Sequence, residues 1–398
     1  MKNKRKLKIL CLDVEGGYGG SSRSLFNSLV SLDKSNVDVE VWCKKSGPIQ
    51  GYYDLAGIPV KVFKNIPKVS SLPRISRNLL FLSLFCFYDW PRSKKFRKKL
   101  LIDSARFDLI HCNHESLYWL ARWINKNLLI PVTMHKRTNL WPSVFASFQI
   151  KVISDYVSGI IFITENERIN FIKLGGNKKY RNVIYNIVQK VNKLPSPLKE
   201  IPNDSRLKIC TLANYSYLRG TDRLIDIALS LKSIGYKEIL FVVAGDISLS
   251  KSLPGQLGHI AKNGGDLSDY ATKTGVGNMF LFLGHVTKPE EVLSACDILI
   301  RPSREYNPWG RDVLEALSFG LPVISIGTYD RFVENRVTGF LFGEFDPKKI
   351  ANCIVKLLQN KELIKEMGWR GKRRVQELCN GPDRAKNLLH FWQKIVEQ

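Results

Sequence analysis

Between Asp297 and Gly327 the chain passes through a strand, a turn, a helix and a second strand in one short stretch. The apolar run Asp297-Ile-Leu-Ile-Arg301 has the length of a buried strand. Pro302, Pro308 and Gly310 turn the chain, and a helix opens in which Leu314, Ala316 and Leu317 surround Glu315. Gly320 ends that helix, and Pro322-Val-Ile-Ser-Ile326 supplies the next strand. Such a βαβ unit requires a parallel sheet covered by helices on both faces, which confines the chain to the α/β class. Ligands of these sheets sit beyond the carboxyl ends of the strands. The turn therefore gathers Asn307, the backbone N–H groups of Gly310 and Arg311, and the Glu315 carboxylate at one helix start. Free N–H groups there can hold phosphate, and a carboxylate one turn further in can accept from ribose hydroxyls.

The same alternation recurs along the rest of the chain. Leu7–Asp13 reads as a first strand, followed by the glycine-rich loop Gly16 to Ser21 and a helix. Strands are expected at Val37–Trp42, Val60–Phe63, Phe107–Cys112, Pro131–His135, Gly159–Thr164 and Arg181–Asn186. The segment 193–206 is proline-rich and aperiodic, as a linker would be. A second series follows at Leu207–Leu212, Ile239–Ala244, Met279–Leu283, Asp297–Arg301, Pro322–Ile326 and Gly339–Phe342. Leu388, Leu389, Phe391, Trp392 and Ile395 form an apolar stripe on a last helix. The expected organisation is a Rossmann-like domain at 1–192, a linker at 193–206, a second Rossmann-like domain at 207–382, and a terminal helix at 383–398.

Residues 305–326 resemble the family-4 (group 1) retaining glycosyltransferases, whose signature is a Glu, seven residues, a second Glu, an Ala and a Gly-x-Pro-Val-Ile strand. Glu315 stands at the second Glu. Counting back eight reaches Asn307 instead of a carboxylate, with Glu305 two residues earlier. The resemblance implies the GT-B fold, two Rossmann-like domains facing across a cleft, with the last helix crossing back to the first domain. It implies that Glu315 holds the nucleotide ribose and that Asn307 or Glu305 contacts the donor sugar. Arg219 takes the place of the family's phosphate-binding Lys, and Asn214 that of its Arg, with Arg223 as a nearby substitute. Gly19 and Gly20 resemble the family's N-terminal loop near the donor phosphates. His114, in His114-Glu115, resembles a sugar-contacting histidine, and His135 a second cleft histidine on the acceptor side. His111 reads as a packing residue. Gly245, with Asp246 after it, and Gly284-His285-Val286 end two strands that would line the donor pocket. The matched features run in order over about residues 8–342.

The function this implies is retaining, hexosyltransferase-like transfer from a nucleotide diphosphate sugar to a hydroxyl acceptor. Catalysis would fall to His114, Arg219 and Asn307. No Asp-x-Asp motif and no histidine pair at metal spacing is present, so no metal and no further cofactor are expected. Eight cysteines without a Cys-x-x-Cys pair read as reduced core thiols, which suits the cytoplasm. The basic start reaches Asp13 too soon for a signal peptide, and no run approaches the roughly 18 apolar residues of a membrane span.

Net charge is +25, concentrated in the first 200 residues, where 34 Lys and Arg face 14 Asp and Glu. Between Lys68 and Lys99, nine basic residues accompany one acid, Asp89, and enclose the apolar stretch Leu79–Tyr88. Arg74, Arg77 and the Arg92–Lys99 cluster would suit the headgroup region of an anionic membrane, and the same pattern fits a core helix beside a solvated basic one. A membrane-side location would favour a lipid-linked or cell-envelope glycan as acceptor. Two other readings stay open: a catalytically idle GT-B partner protein, and a polyanion- or nucleic-acid-binding protein. The second lacks any recognisable nucleic-acid module.

Overall fold

The computed structural model describes residues 5–17, 19–69, 79–177, 180–191 and 193–398. The chain forms two compact units, one of residues 1–187 with 379–398 and one of residues 188–378.

The first unit is built on seven strands: β1 (Leu7–Asp13), β2 (Val37–Cys43), β3 (Val60–Val62), β4 (Leu109–Cys112), β5 (Val132–Lys136), β6 (Gly159–Phe162) and β7 (Arg181–Val183). They pair in parallel in the order β3-β2-β1-β4-β5-β6-β7. The second unit holds β8 (Leu207–Leu212), β9 (Ile239–Ala244), β10 (Phe280–Gly284), β11 (Ile298–Arg301), β12 (Val323–Ile326) and β13 (Gly339–Phe342). Their order is β10-β9-β8-β11-β12-β13, again all parallel. The central strands are buried on both faces because helices cover both, which explains their unbroken apolar runs.

Each sheet reverses its strand order once, between β1 and β4 in the first unit and between β8 and β11 in the second. A crevice opens at the carboxyl ends of the two strands flanking such a reversal. The loops that meet there follow β1 and β4 in one unit and β8 and β11 in the other. These loops carry most of the residues singled out from sequence.

The final helix, Gly381–Val396, belongs to the first unit. Asn380 caps it by accepting from the Asp383 N–H at 3.2 Å, and its apolar stripe is buried, Trp392 completely. A Cβ on Gly159 would come within 2.7 Å of Phe391 and Ile395, so the helix sits where β6 has no side chain.

The apolar stretch before residue 89 is partly buried and partly exposed where its side chains are described. Leu79–Leu84 is helical, Phe85–Asp89 forms a π-helical turn, and Trp90–Arg92 and Lys94–Asp103 continue it. Phe85, Phe96 and Leu100 are buried, whereas Leu84, Phe87 and Tyr88 are exposed. Arg74 and Arg77 lie outside the described residues. All eight cysteines are free thiols, seven of them buried. Among the described residues no helix is long and apolar enough to cross a membrane.

Candidate active site

In the second unit, the turn after β11 is organised by a buried arginine. Arg301 donates from Nη1 to both carboxylate oxygens of Asp312 at 2.8 and 2.7 Å, and from Nε to the Asn307 carbonyl at 3.1 Å. Gly310 is required by space: a Cβ would stand 2.4 Å from Asp312 Oδ1 and 2.7 Å from Arg301 Nη1. Tyr306 is held at φ 50°, a left-handed conformation that costs about 1–3 kcal/mol in a residue with a side chain. Within this fixed turn, Asn307 Oδ1 is buried and accepts no hydrogen bond among the described residues.

The helix Arg311–Ser318 follows. Its N-cap is Gly310, which has no side chain to satisfy the first N–H groups, so its start is open to an anion. Glu315 lies one turn in, with Oε1 2.8 Å from Arg311 Nε. Glu305 is exposed, its N–H donating to Ser303 Oγ at 3.1 Å.

The loop after β8 is clamped to this turn. Gly220 has φ +73°, and a Cβ there would meet the Pro302 carbonyl oxygen at 2.2 Å. Arg304 grips the Asp222 carboxylate with both Nη atoms, at 2.8 and 2.5 Å, and its N–H donates to the Leu218 carbonyl at 2.8 Å. Arg223 donates to the Pro302 and Ser303 carbonyls at 3.2 Å and stacks over Phe345. Arg223 is thus consumed in fixing the loop. Arg219 is the opposite case. Among the described residues its guanidinium makes no hydrogen bond or ion pair, and the positive charge of Arg301, with partial desolvation, lowers its pKa. The Asp312 and Glu305 carboxylates act on it in the opposite sense, and Asp312 already pairs with Arg301, so Arg219 is the cation of this group left for an incoming anion among the described residues.

Asn214 does not stand free in the position of a missing cation. Its Oδ1 accepts from the Asp246 N–H at 2.9 Å, tying the β8 loop to the β9 loop. Gly245, at φ +143°, lets these two loops touch, since a Cβ would sit 2.3 Å from the Ala213 carbonyl oxygen. Its N–H donates to the Gly284 carbonyl at 2.7 Å. Beyond Gly284, His285 is exposed and Val286 half-buried.

In the first unit, Gly16 packs against Lys45 so tightly that no Cβ fits. Gly19 and Gly20, by contrast, face open space at the start of the helix Gly20–Val30. His114 follows β4 and caps a short turn, its Nδ1 accepting from the Ser116 N–H at 3.1 Å. An accepting Nδ1 leaves the ring proton on Nε2, so the half-buried ring carries one donor for a ligand.

The neighbouring Glu115 is fully buried. It accepts from the N–H groups of Arg137 and Thr138 at 2.9 and 3.0 Å and from the Thr138 hydroxyl. Burial alone would raise its pKa, but the neighbouring His114 ring, the Lys136 charge and these hydrogen bonds outweigh it and bring it down to about 2. Arg137 in turn donates to the Asn113 carbonyl and side chain at 2.7 and 2.5 Å, and Asn113 donates to Asp13 at 3.1 Å across the β1–β4 reversal. Lys136, also buried, bonds the Thr138 carbonyl, and its charge reaches Glu115 and Glu167. Burial pushes the Glu167 carboxyl up to about 7, against a hydrogen bond from Thr164.

His135 departs from its expected place on the acceptor side. It is buried in β5 with Nδ1 2.7 Å from His111 Nε2, and His111 Nδ1 is 2.9 Å from Thr133 Oγ1. Burial and the Arg137 charge hold His111 near 3 and His135 well below its usual value, so both rings are neutral sheet-packing groups.

Sequence reasoning missed Arg301, Asp312, Arg304 and Asp222 as the groups that shape the site. The available signal was a charged residue closing an apolar strand, which a buried sheet tolerates only when the charge is paired. Among the described residues, no three His, Cys, Asp or Glu side chains gather as a metal site would require.

Residues 197–374 match the family described as Glycosyl transferases group 1, and residues 18–190 match Glycosyltransferase Family 4. The chain is 21% identical to alpha-1,3/1,6-mannosyltransferase of Homo sapiens over 98% of its own length and 97% of that protein's. It is 29% identical to the capsular polysaccharide biosynthesis glycosyltransferase CapM of Staphylococcus aureus, over 40% of this chain and 38% of that protein. Among solved structures, Anabaena HepE in complex with UDP superposes with a TM-score of 0.74 at 21% identity, covering 98% of this chain and all of that one. This likeness establishes the GT-B fold.

Proposed function

From a chain that belongs to the group 1, family 4 glycosyltransferases, we propose a retaining enzyme that moves a sugar from a nucleoside diphosphate donor to a hydroxyl acceptor. The observation that carries the donor assignment is the Arg219 guanidinium, unpaired among the described residues, within electrostatic reach of Arg301 and on the loop clamped to the turn that leads to the uncapped helix at Gly310. As the bond between the anomeric carbon and the diphosphate oxygen breaks, negative charge builds on the leaving phosphates. Fixed cations and N–H groups stabilise that charge without having to reorganise. Glu315, steadied by Arg311, accepts from the ribose hydroxyls. Asn307 is assigned to the donor sugar, since its buried Oδ1 is an acceptor in want of a donor. His114 is assigned to sugar contact through Nε2–H, and Gly19 and Gly20 to close approach of the donor.

UDP is bound in the Anabaena structure, and the human and S. aureus relatives are named for mannosyl transfer and capsular polysaccharide synthesis. These relatives support a nucleotide sugar as donor and a lipid-linked or cell-envelope glycan as acceptor. The reaction is assigned to proceed without a metal, because arginines and a helix start take the phosphate end. Calorimetric titration with a panel of nucleoside diphosphates, followed by turnover of the matching sugar donors with and without a chelator, tests the reading. Binding that is weakened in Arg219→Ala, with turnover indifferent to chelator, is the expected result. Binding without turnover of any donor would instead identify an idle partner protein.

A further inference from the structure

In the first unit, aromatic rings and cations meet repeatedly across a band made by residues 84–103, 118–127 and 141–156. The Arg92 guanidinium lies 3.4 Å from the Tyr88 ring centroid. Arg97 stacks on Trp90 at 4.2 Å and reaches Trp123 at 5.5 Å, linking the helix Lys94–Asp103 to the helix Tyr118–Asn127. One turn before Trp123, Trp119 is covered by Arg122 at 4.5 Å and meets Phe148 of the helix Val144–Tyr156 at 6.1 Å between ring centroids. Arg122 and Lys126 both lie over Tyr156, at 5.4 and 5.5 Å. The contacts fall into three groups between residues 88 and 156, two of which share the helix Tyr118–Asn127 through Trp123 and Trp119.

Two further observations say what covers it. Large apolar side chains project beyond the rings: Phe87 is 84% exposed and Val144 84%, beside exposed Leu84 and Trp141. The helix that carries Arg97 also presents Lys94, Lys95 and Lys98, all exposed, in the half of the chain that carries most of the +25 charge. We propose that this band docks the protein on the surface of an anionic lipid bilayer. Trp and Tyr rings settle at headgroup level, arginine and lysine heads meet lipid phosphates, and Phe87 and Val144 enter the acyl boundary. A nucleic acid would satisfy the cations but leave those apolar side chains in water. The proposal does not rest on the transfer reaction, and its test needs no substrate.

Purified full-length protein is sedimented with vesicles of pure phosphatidylcholine and with vesicles containing phosphatidylglycerol. It is expected to partition onto the anionic vesicles alone and to be released by salt. The triple change Lys94→Ser, Lys95→Ser, Lys98→Ser should lower partitioning about a hundred-fold, and Phe87→Ser about ten-fold. Leu55→Ser, at a residue 90% exposed but outside the band, should change nothing. Unaltered thermal melting of each variant shows that the fold is kept. Equal partitioning onto neutral vesicles, or none onto anionic ones, overturns the proposal. So does undiminished binding by Phe87→Ser with duplex DNA displacing the vesicles, which would make the band a polyanion surface.

Discussion

The two strand-order reversals carry charge networks of opposite kinds. In the first unit, Glu115 is fully buried and its carboxylate is met by two N–H groups, a hydroxyl, the His114 ring and the Lys136 charge. In the second unit, Arg301 and Arg304 have their carboxylates, yet Arg219 has no ion pair and Asn307 Oδ1 no donor among the described residues. One network is closed and serves the scaffold. The other is rigid in its frame and incomplete where a ligand would enter. A satisfied buried network resists perturbation as a unit, whereas preorganised but unpaired groups lose less solvation when an anion arrives.

The largest effect expected from this contrast is on stability. Glu115→Ala strands two buried N–H donors and the Lys136 charge and should cost about 3–5 kcal/mol in urea unfolding. A loss below about 1 kcal/mol would show that the first network is not the scaffold described. Next comes Arg219→Ala, which should leave unfolding unchanged and slow turnover by about 10²–10³, with Arg219→Lys recovering part of it. Arg223→Ala, which removes a loop bracket, should instead lower the melting temperature. If Arg223→Ala alone abolishes turnover while Arg219→Ala is active, the open cation has been misidentified.

Glu315→Ala should weaken nucleoside diphosphate binding roughly ten- to a hundred-fold, the worth of a charged hydrogen bond. Unchanged affinity would reduce Glu315 to a partner for Arg311. Asn307→Glu should alter preference among sugar donors by about ten-fold while leaving diphosphate affinity alone. The paired control is Glu305→Gln: if it is the damaging change and Asn307→Glu is silent, the exposed carboxylate reads the sugar.

The smallest effect is a pH slope. Burial pushes the Glu167 carboxyl from the ordinary glutamate value of 4.5 up to about 7 in the folded chain. The folded state therefore holds more protons than the unfolded state between these values. Its contribution is favourable below about pH 4.5 and is lost as pH rises through 7. Lys136, whose pKa is lowered mainly by burial, acts with the opposite sign at higher pH. Glu167→Gln should remove a decline of at most about one proton in the stability profile between pH 4.5 and 7. A profile parallel to the parent's would place the Glu167 proton elsewhere.

Much of the fold was written locally. β1, β8 and β9 lie where their apolar runs begin and end, because a strand buried on both faces must be apolar at consecutive positions. The βαβ pattern after Asp297 likewise fixed the helix that presents Glu315, and the glycine and proline punctuation marked its start. The roles of the polar residues were not local. Asn214 is a tether because Asp246 lies beside it; His135 is buried because β4 and β5 are neighbours. Arg301 shapes the site because it folds back on Asp312, and Arg219 is open because Arg223 and Arg304 took the carbonyls and carboxylate nearby. The cation-covered rings from Tyr88 to Tyr156 depend equally on three helices sharing one face. Periodicity records only whether a side chain leaves water. Which charge it then meets depends on strand order and on residues far away in the chain, and that is settled only when the sheet assembles.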